Sequence, residues 1–342
     1  MTKKVISYAV PCYNSAEYMD HCIETLLEAQ ASDIEIIIVD DGSTDSTPEK
    51  ADLWAEQYPD IIKVIHQENK GHGGACMAAL HAATGFFFKV VDSDDWVDNE
   101  AHLKLLEVIR KEGSHAIDLI VTNYVIENEW ENTQIEVEYR HAFKNCTGRL
   151  SGWDSMKHLA YHKNITMHAM TYRRQLLLDL GLELPEHTYY VDTIYAYVPL
   201  PHVTGLMYLD IDLYRYFVGR ADQSTNVQNI VRRIDEHIKV TKIIISHYKL
   251  EEDVTIPRLR KLMRNQLTVL MAACTVYSLL SSERSKHTKR MDIWMYLHDH
   301  DYATYKKIRR TFLWCGSNYP GTIGNKLFEI GFAVARKCFK FT

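Results

Sequence analysis

Residues 86–96 read FFFKVVDSDDW. The apolar run through Val91 has the length and composition of a buried strand. It opens onto three carboxylates within four positions, Asp92, Asp94 and Asp95. Like charges this close repel, and they raise one another's pKa unless something positive sits among them. A turn and a helix cap account for one aspartate, or for two. The third points to a site for a hard divalent cation.

Working outward, the same arrangement recurs. Val5–Val10 is a short apolar strand that ends in PCYN (11–14), and Ile34–Val39 is a second that ends in DDGSTD (40–45). Ile61–His66 reads as a third strand and Phe86–Val91 as the fourth. Ser15 can cap a helix running to about Ala29, with apolar residues at Met19, Cys22, Ile23, Leu26 and Leu27. Thr47 is the expected cap of the next helix, with Pro48 at its first position and Glu49 and Asp52 in its first turn. A helix from Asn99 to Lys111 and a strand over Asp118–Thr122 follow. This alternation predicts an α/β fold whose mostly parallel sheet is covered on both faces. Ligands of such sheets bind at the carboxyl ends of the strands. PCYN, DDGSTD and DSDD therefore share one rim.

The remainder divides by charge. Residues 1–225 hold 18 Lys and Arg against 35 Asp and Glu, a net of −17; residues 226–342 hold 21 against 10, a net of +11. Residues 123–225 are aromatic-rich, with a strand pair expected around Tyr124–Tyr139. The last third is helical in pattern, with Ile230, Val231, Ile234 and Ile238, then Leu262, Leu267, Leu270 and Met271, at three- and four-residue spacing. Two domains are expected, 1–225 and a basic helical 226–342.

Composition is that of a globular protein, 46% hydrophobic and 25% charged over 342 residues. Seven cysteines, scattered and without a CxxC pair, argue for reduced thiols in the cytoplasm and against a disulfide framework or zinc site. The N-terminus is too short before its first strand for a signal peptide. The longest apolar-rich stretch elsewhere, Leu267–Leu280, spans 14 residues and contains Thr and Ser. A membrane span needs about 20.

The segments ISYAVPCYNSAEYMDHCIETLL, EIIIVDDGSTDST, HQENKGHGGA and ATGFFFKVVDSDDW resemble family 2 glycosyltransferases of the GT-A fold, over roughly residues 5–225. The resemblance implies an inverting, metal-dependent glycosyltransferase that moves a sugar from a UDP-sugar to a hydroxyl acceptor, in synthesis of cell-surface polysaccharide, teichoic acid or glycolipid. Mg²⁺ or Mn²⁺ would bridge the donor diphosphate to carboxylates and offset the leaving-group charge. Asp94, with Asp95, would touch the metal, and Asp92 the donor. Asp41 matches the position that reads the uracil edge, and Pro11 and Tyr13 would line the base pocket. Asp40 and Asp45 read as loop-ordering residues. Gly71, in a GxGG run that lacks dinucleotide-binding spacing, would let the backbone pass close to the donor. Relatives often carry Arg-Asn just after this loop, where this chain has Cys76-Met77.

LPEHTYYVDTIYAY (184–197) resembles the segment that carries the family's catalytic base, often written Glu-Asp. Here the pair is Val191-Asp192, and Asp192 alone remains to deprotonate the acceptor. A helix cap is the competing reading of Asp192. His168 and His187 read as structural, and Arg220 in YRYFVGRADQS would meet the phosphates.

Two alternatives stand beside this reading: a catalytically silent nucleotide-sugar-binding module, motivated by Val191 and the absent Arg, and a sugar-1-phosphate nucleotidyltransferase. A saccharide or lipid-linked acceptor is expected, and no nucleic acid. The tail GNKLFEIGFAVARKCFKF (324–341) combines apolar residues with Lys326, Arg336, Lys337 and Lys340. It fits an interfacial helix at the inner face of the cell membrane, or a helix packed on its own domain.

Overall fold

The apolar runs become strands of a single nine-stranded sheet. The computed structural model describes residues 3–112, 116–128, 132–157, 159, 163–218, 227–281 and 285–311. Its strands are β1 (Ile6–Cys12), β2 (Ile34–Asp41), β3 (Ile62–Gln67), β4 (Phe87–Val90), β5 (Trp96–Val97), β6 (Leu119–Asn128), β7 (Thr133–Val137), β8 (Met170–Arg173) and β9 (Leu206–Val218). The helices between them are α1 (Met19–Leu27), α2 (Thr47–Gln57), α3 (Gly71–Ala82), α4 (Asn99–Glu112), α5 (Arg140–Phe143), α6 (Arg174–Asp179) and α7 (Asp192–Tyr197).

Strand order is β3-β2-β1-β4-β8-β6-β9-β5, with β7 paired to β6. The first four strands are parallel, as their βα rhythm requires. The other half is mixed: β8 runs antiparallel to both β4 and β6, and β5 antiparallel to β9. The expectation of a mostly parallel sheet is corrected there. Beyond residue 123 no regular βα crossover links the strands, so nothing forces them to run parallel.

Strands β1 and β2 are buried at every residue, which is why they read as unbroken apolar runs. One helix start differs from expectation. Ser46, not Thr47, precedes α2, and the Thr47 hydroxyl instead accepts the Ser15 N–H at 2.8 Å. Ser15 in turn begins its turn through its carbonyl, which accepts from Tyr18 and Met19 N–H.

By internal contacts the chain divides into residues 1–219 and 220–342, against the boundary near 225 expected from charge. The second unit is helical: α8 (Val227–Arg232), α9 (Ile234–His247), α10 (Leu250–Asp253), α11 (Pro257–Leu280), α12 (Lys286–His300) and α13 (Tyr302–Ile308). Ile234, Ile244, Met263, Met271, Cys274, Ile293 and Leu297 form its buried interior. Glu251 gathers Arg260, Arg264 and Lys307 within 3.5 Å. No helix among the described residues is long and apolar enough to cross a membrane. The 324–341 tail and Arg220 lie outside the described residues.

A buried histidine makes the first unit acid-sensitive. His102 on α4 is fully buried, with its Nε2 2.7 Å from the Tyr8 hydroxyl on β1. Burial, with Arg110 nearby, pushes its pKa down to about 4 from 6.5. The unfolded chain therefore takes up a proton below pH 6.5 that the folded chain refuses until about pH 4. Stability from this residue is complete above pH 6.5 and falls with pH, by about 2 kcal/mol at pH 5. Urea midpoints at pH 7 and 5, for wild type and His102→Asn, are expected to show a smaller drop in the variant. Equal drops would mean that His102 is not the proton acceptor.

Candidate active site

Direct hydrogen bonds tie the loops after β1, β2 and β4 together. From the first loop, Asn14 N–H donates to Ser43 Oγ at 3.0 Å, and Asn14 Oδ1 accepts from Thr44 N–H at 2.8 Å. Ala16 N–H donates to Asp45, and Ser15 Oγ lies 2.7 Å from Ser93 Oγ in the DSDD turn. Asn14 holds a left-handed φ of 50°, which Asn tolerates better than most residues. The three motifs share a rim, as expected. Asp40 and Asp45 order these loops: Asp40 accepts from Ser43 N–H and faces His66, and Asp45 accepts from Ala16 and Thr47 N–H.

Asp41 is buried, and its carboxylate accepts from Gln67 Nε2 (2.6 Å), Lys70 N–H (2.8 Å) and Gly71 N–H (2.7 Å). It thereby fixes the start of α3 beside the β2 loop. A carboxylate offers about four lone-pair directions, so a further donor such as a base N–H can still be accepted. Pro11 is buried within β1, while the Tyr13 ring is 54% exposed on the rim.

The glycines do something not foreseen. A Cβ on Gly71, which has φ +75°, would stand 3.0 Å from His187 N, and one on Gly73 would stand 2.7 Å from the Pro185 carbonyl. What passes close here is the chain's own 184–188 segment, held by His187 N–H donating to the Lys70 carbonyl at 2.7 Å. Without side chains at 71 and 73, α3 and the stretch leading to Asp192 sit against each other.

The first turn of α3 also supplies a cation that the sequence reading missed. His72 Nε2 is 2.7 Å from Asp92 Oδ1. Burial works against the imidazolium, but Cys76 and Asp92 outweigh it and raise His72 well above its ordinary pKa. Both side chains of the pair keep a quarter to a third of their surface, so water weakens this shift. Cys76 is buried with its sulfur 3.8 Å from the His72 ring. The signal available in sequence was a His and a Cys four residues apart, on one face of a helix.

The three aspartates have different surroundings. Asp95 is buried, with Tyr214 OH donating to it at 2.5 Å and Phe217 N–H at 2.8 Å. Burial first, then the charges of Asp94 and Asp92, push its carboxyl well up. Burial also opposes the charge on Asp92, but His72 and, farther off, Lys89 win and hold it below the usual range. Ligand atoms of Asp92, Asp95 and His168 lie within 4.8 Å of one another. His168 is thus no bystander. Its ring stacks on Tyr216 at 4.5 Å, and burial pushes its pKa down to about 4, leaving a neutral imidazole. Beneath it, fully buried Lys89 donates to the His168 carbonyl at 2.7 Å.

The carboxylates suit Mg²⁺ or Mn²⁺, and the neutral imidazole favours the softer Mn²⁺; Asp94 stands close enough to raise Asp95. The electrostatic strain on Asp95 is what a cation would relieve. The donor set fits a divalent ion.

Asp192 is the first residue of α7, with the buried Val191 in the cap position, and its carboxylate accepts from the Thr193 backbone N–H. Asp192 is half-buried, and burial, aided by Asp92 and opposed by His72, raises its carboxyl.

Residues 7–173 match the family described as Glycosyl transferase family 2. Glycosyltransferase GlyG of Streptococcus pneumoniae serotype 4 is 37% identical over 124 residues, which are 35% of this chain and 39% of GlyG. The matched part spans under two-fifths of the first curated relatives. Among solved structures, Staphylococcus aureus TarS 1–349 in complex with UDP-GlcNAc has a TM-score of 0.54 at 18% identity, covering 92% of this chain and 93% of that one. The mannosyltransferase PcManGT of Pyrobaculum calidifontis, in complex with GDP-Man and Mn²⁺, has a TM-score of 0.57 at 16% identity, covering 96% and 80%. The fold is GT-A-like α/β, with a helical C-terminal region.

Proposed function

We propose that the chain, whose residues 7–173 match glycosyl transferase family 2, transfers a sugar from a UDP-sugar to a hydroxyl of a saccharide or lipid-linked acceptor, with inversion. The observation that carries the reading is the joining of five segments at one rim, through Asn14–Ser43, Ser15–Ser93, Asp41–Gly71, Asp92–His72 and Gly71–His187.

In this reading Tyr13 and Asp41 hold the nucleotide, and Asp92, Asp94 and His72 face the diphosphate. Asp94 with Asp92, Asp95 and His168 would hold a Mg²⁺ or Mn²⁺ ion, which when bound offsets charge on the leaving diphosphate. Asp192 takes the proton of the acceptor hydroxyl. That oxygen attacks the anomeric carbon from the face opposite the nucleotide, the bond from carbon to phosphate oxygen breaks, and UDP leaves. Asp95 also ties the turn to β9.

Hydrolysis of a panel of UDP-sugars with Mn²⁺ tests the reading. Turnover of at least one sugar, lost with EDTA, is expected. Tight UDP binding with no turnover of any donor, and no transfer, would favour the silent module instead.

The net charge of +11 on residues 226–342 supports peripheral contact with anionic membrane at its inner face. Salt-sensitive pelleting with anionic vesicles, weaker for a chain ending at Tyr319, is expected. Equal, salt-insensitive pelleting of both, or none by either, would refute the contact.

A further inference from the structure

The segment between Pro185 and Asp192 contains two left-handed, non-glycine residues, His187 at φ 47° and Tyr190 at φ 67°. A bulky residue in that region is uncommon, and such strain persists only where the surroundings impose it. Here they do. His187 N–H is bound to the Lys70 carbonyl, Gly71 packs beneath His187, and Thr188 is buried with its hydroxyl donating to the Glu186 carbonyl at 2.8 Å. Between the two strained positions the Tyr189 ring stands 41% exposed, while Val191 beyond it is buried. The turn leaves part of the Tyr189 side chain exposed, its ring tilted against that of Tyr190 at 6.3 Å, three residues from the proposed base.

We infer that Tyr189 is the platform on which the acceptor sugar lies, an inference that rests on the glycosyltransferase reading above. A pyranose has a face of C–H groups and a rim of hydroxyls. It can cover an aromatic ring with the first and leave the second hydrated, and an amphipathic tyrosine suits that contact. The acceptor is favoured over the donor by linkage to the base, although the same segment also meets Gly71, whose N–H binds Asp41. The donor-side residues Tyr13 and Asp41 follow β1 and β2, whereas Tyr189 and Asp192 share one short, strained segment. A ring held rigidly relative to the base sets which hydroxyl the base meets.

The test uses the full chain, the UDP-sugar it hydrolyses fastest, and methyl glycosides of glucose, galactose, N-acetylglucosamine and N-acetylgalactosamine as acceptors, so that no aromatic aglycone stacks in place of the sugar. Tyr189→Ala is expected to raise the KM of the best glycoside about tenfold, the worth of one aromatic contact. Donor hydrolysis without acceptor stays at the wild-type rate, and Tyr189→Phe restores the KM. An unchanged acceptor KM in Tyr189→Ala overturns the assignment. So does a parallel fall in donor hydrolysis, because the ring would then serve the donor or the fold. A wild-type chain that neither hydrolyses nor transfers any donor sugar defeats the underlying reading instead, and the two failures are distinguishable.

Discussion

Asp192→Asn is expected to lower turnover about 10²–10⁴-fold, the usual worth of a general base, while the affinity for UDP stays near that of wild type. Asn keeps the size of the side chain and its place in the first turn of α7, and removes only the ability to take a proton. Val191 is buried and carries no charge, so no second acid beside it can substitute. The raised carboxyl of Asp192 gives the pH dependence its sign. The base works only above its pKa, so the acid limb of the kcat profile should lie above the ordinary aspartate range. Normal turnover with a loss of donor affinity would make Asp192 a binding residue. Normal turnover with normal affinity would place the base elsewhere.

Asp94→Ala is expected to abolish Mn²⁺-dependent UDP binding with little change in melting temperature. Asp94 is only half-buried, so truncating it leaves the sheet intact. Asp95→Ala is the contrast. It strands the Tyr214 hydroxyl and Phe217 N–H, and an orphaned buried group costs about 1–3 kcal/mol, so this variant should melt earlier. Calorimetry with UDP and Mn²⁺, beside thermal unfolding of both variants, reads the two effects separately. Wild-type UDP affinity in a well-folded Asp94→Ala would remove Asp94 from the metal site.

What could be read from the sequence, and what could not, follows from distance along the chain. The parallel strands were legible because burial on both faces leaves an apolar run, as in Ile34–Val39. The shared rim followed from the carboxyl-end rule and three polar loops. Helix α3 was hidden because GHGG has the composition of a loop. With it went His72, whose partner Asp92 is 20 residues away. Nor could DSDD be divided among its roles. The groups that distinguish Asp95 from Asp94, the Tyr214 hydroxyl and the Phe217 amide, lie about 120 residues downstream. The glycines signalled a close approach, but not by what. His168 is one of 17 histidines, and nothing local in MHAMTYRR marks it as the one beside the acids.

The bond from Phe217 to Asp95 also determines when the Asp95 carboxylate is fixed. Its ends are 122 residues apart, and closing a loop that long costs on the order of 4 kcal/mol of chain entropy. Strands β1, β2 and β3 pair with near neighbours in sequence and can assemble while the chain is still being made. The turn closes locally, Asp95 N–H donating to the Asp92 carbonyl at 2.9 Å, but the Asp95 carboxylate gains its partners only when β9 has left the ribosome and docked beside β5 and β6. A nascent or truncated chain ending near residue 173 would have the motifs but no anchor for Asp95. The carboxylates are neighbours throughout, but Asp95 is not held in place until the fold is nearly complete, and metal-dependent donor binding should be among the last properties to emerge during folding.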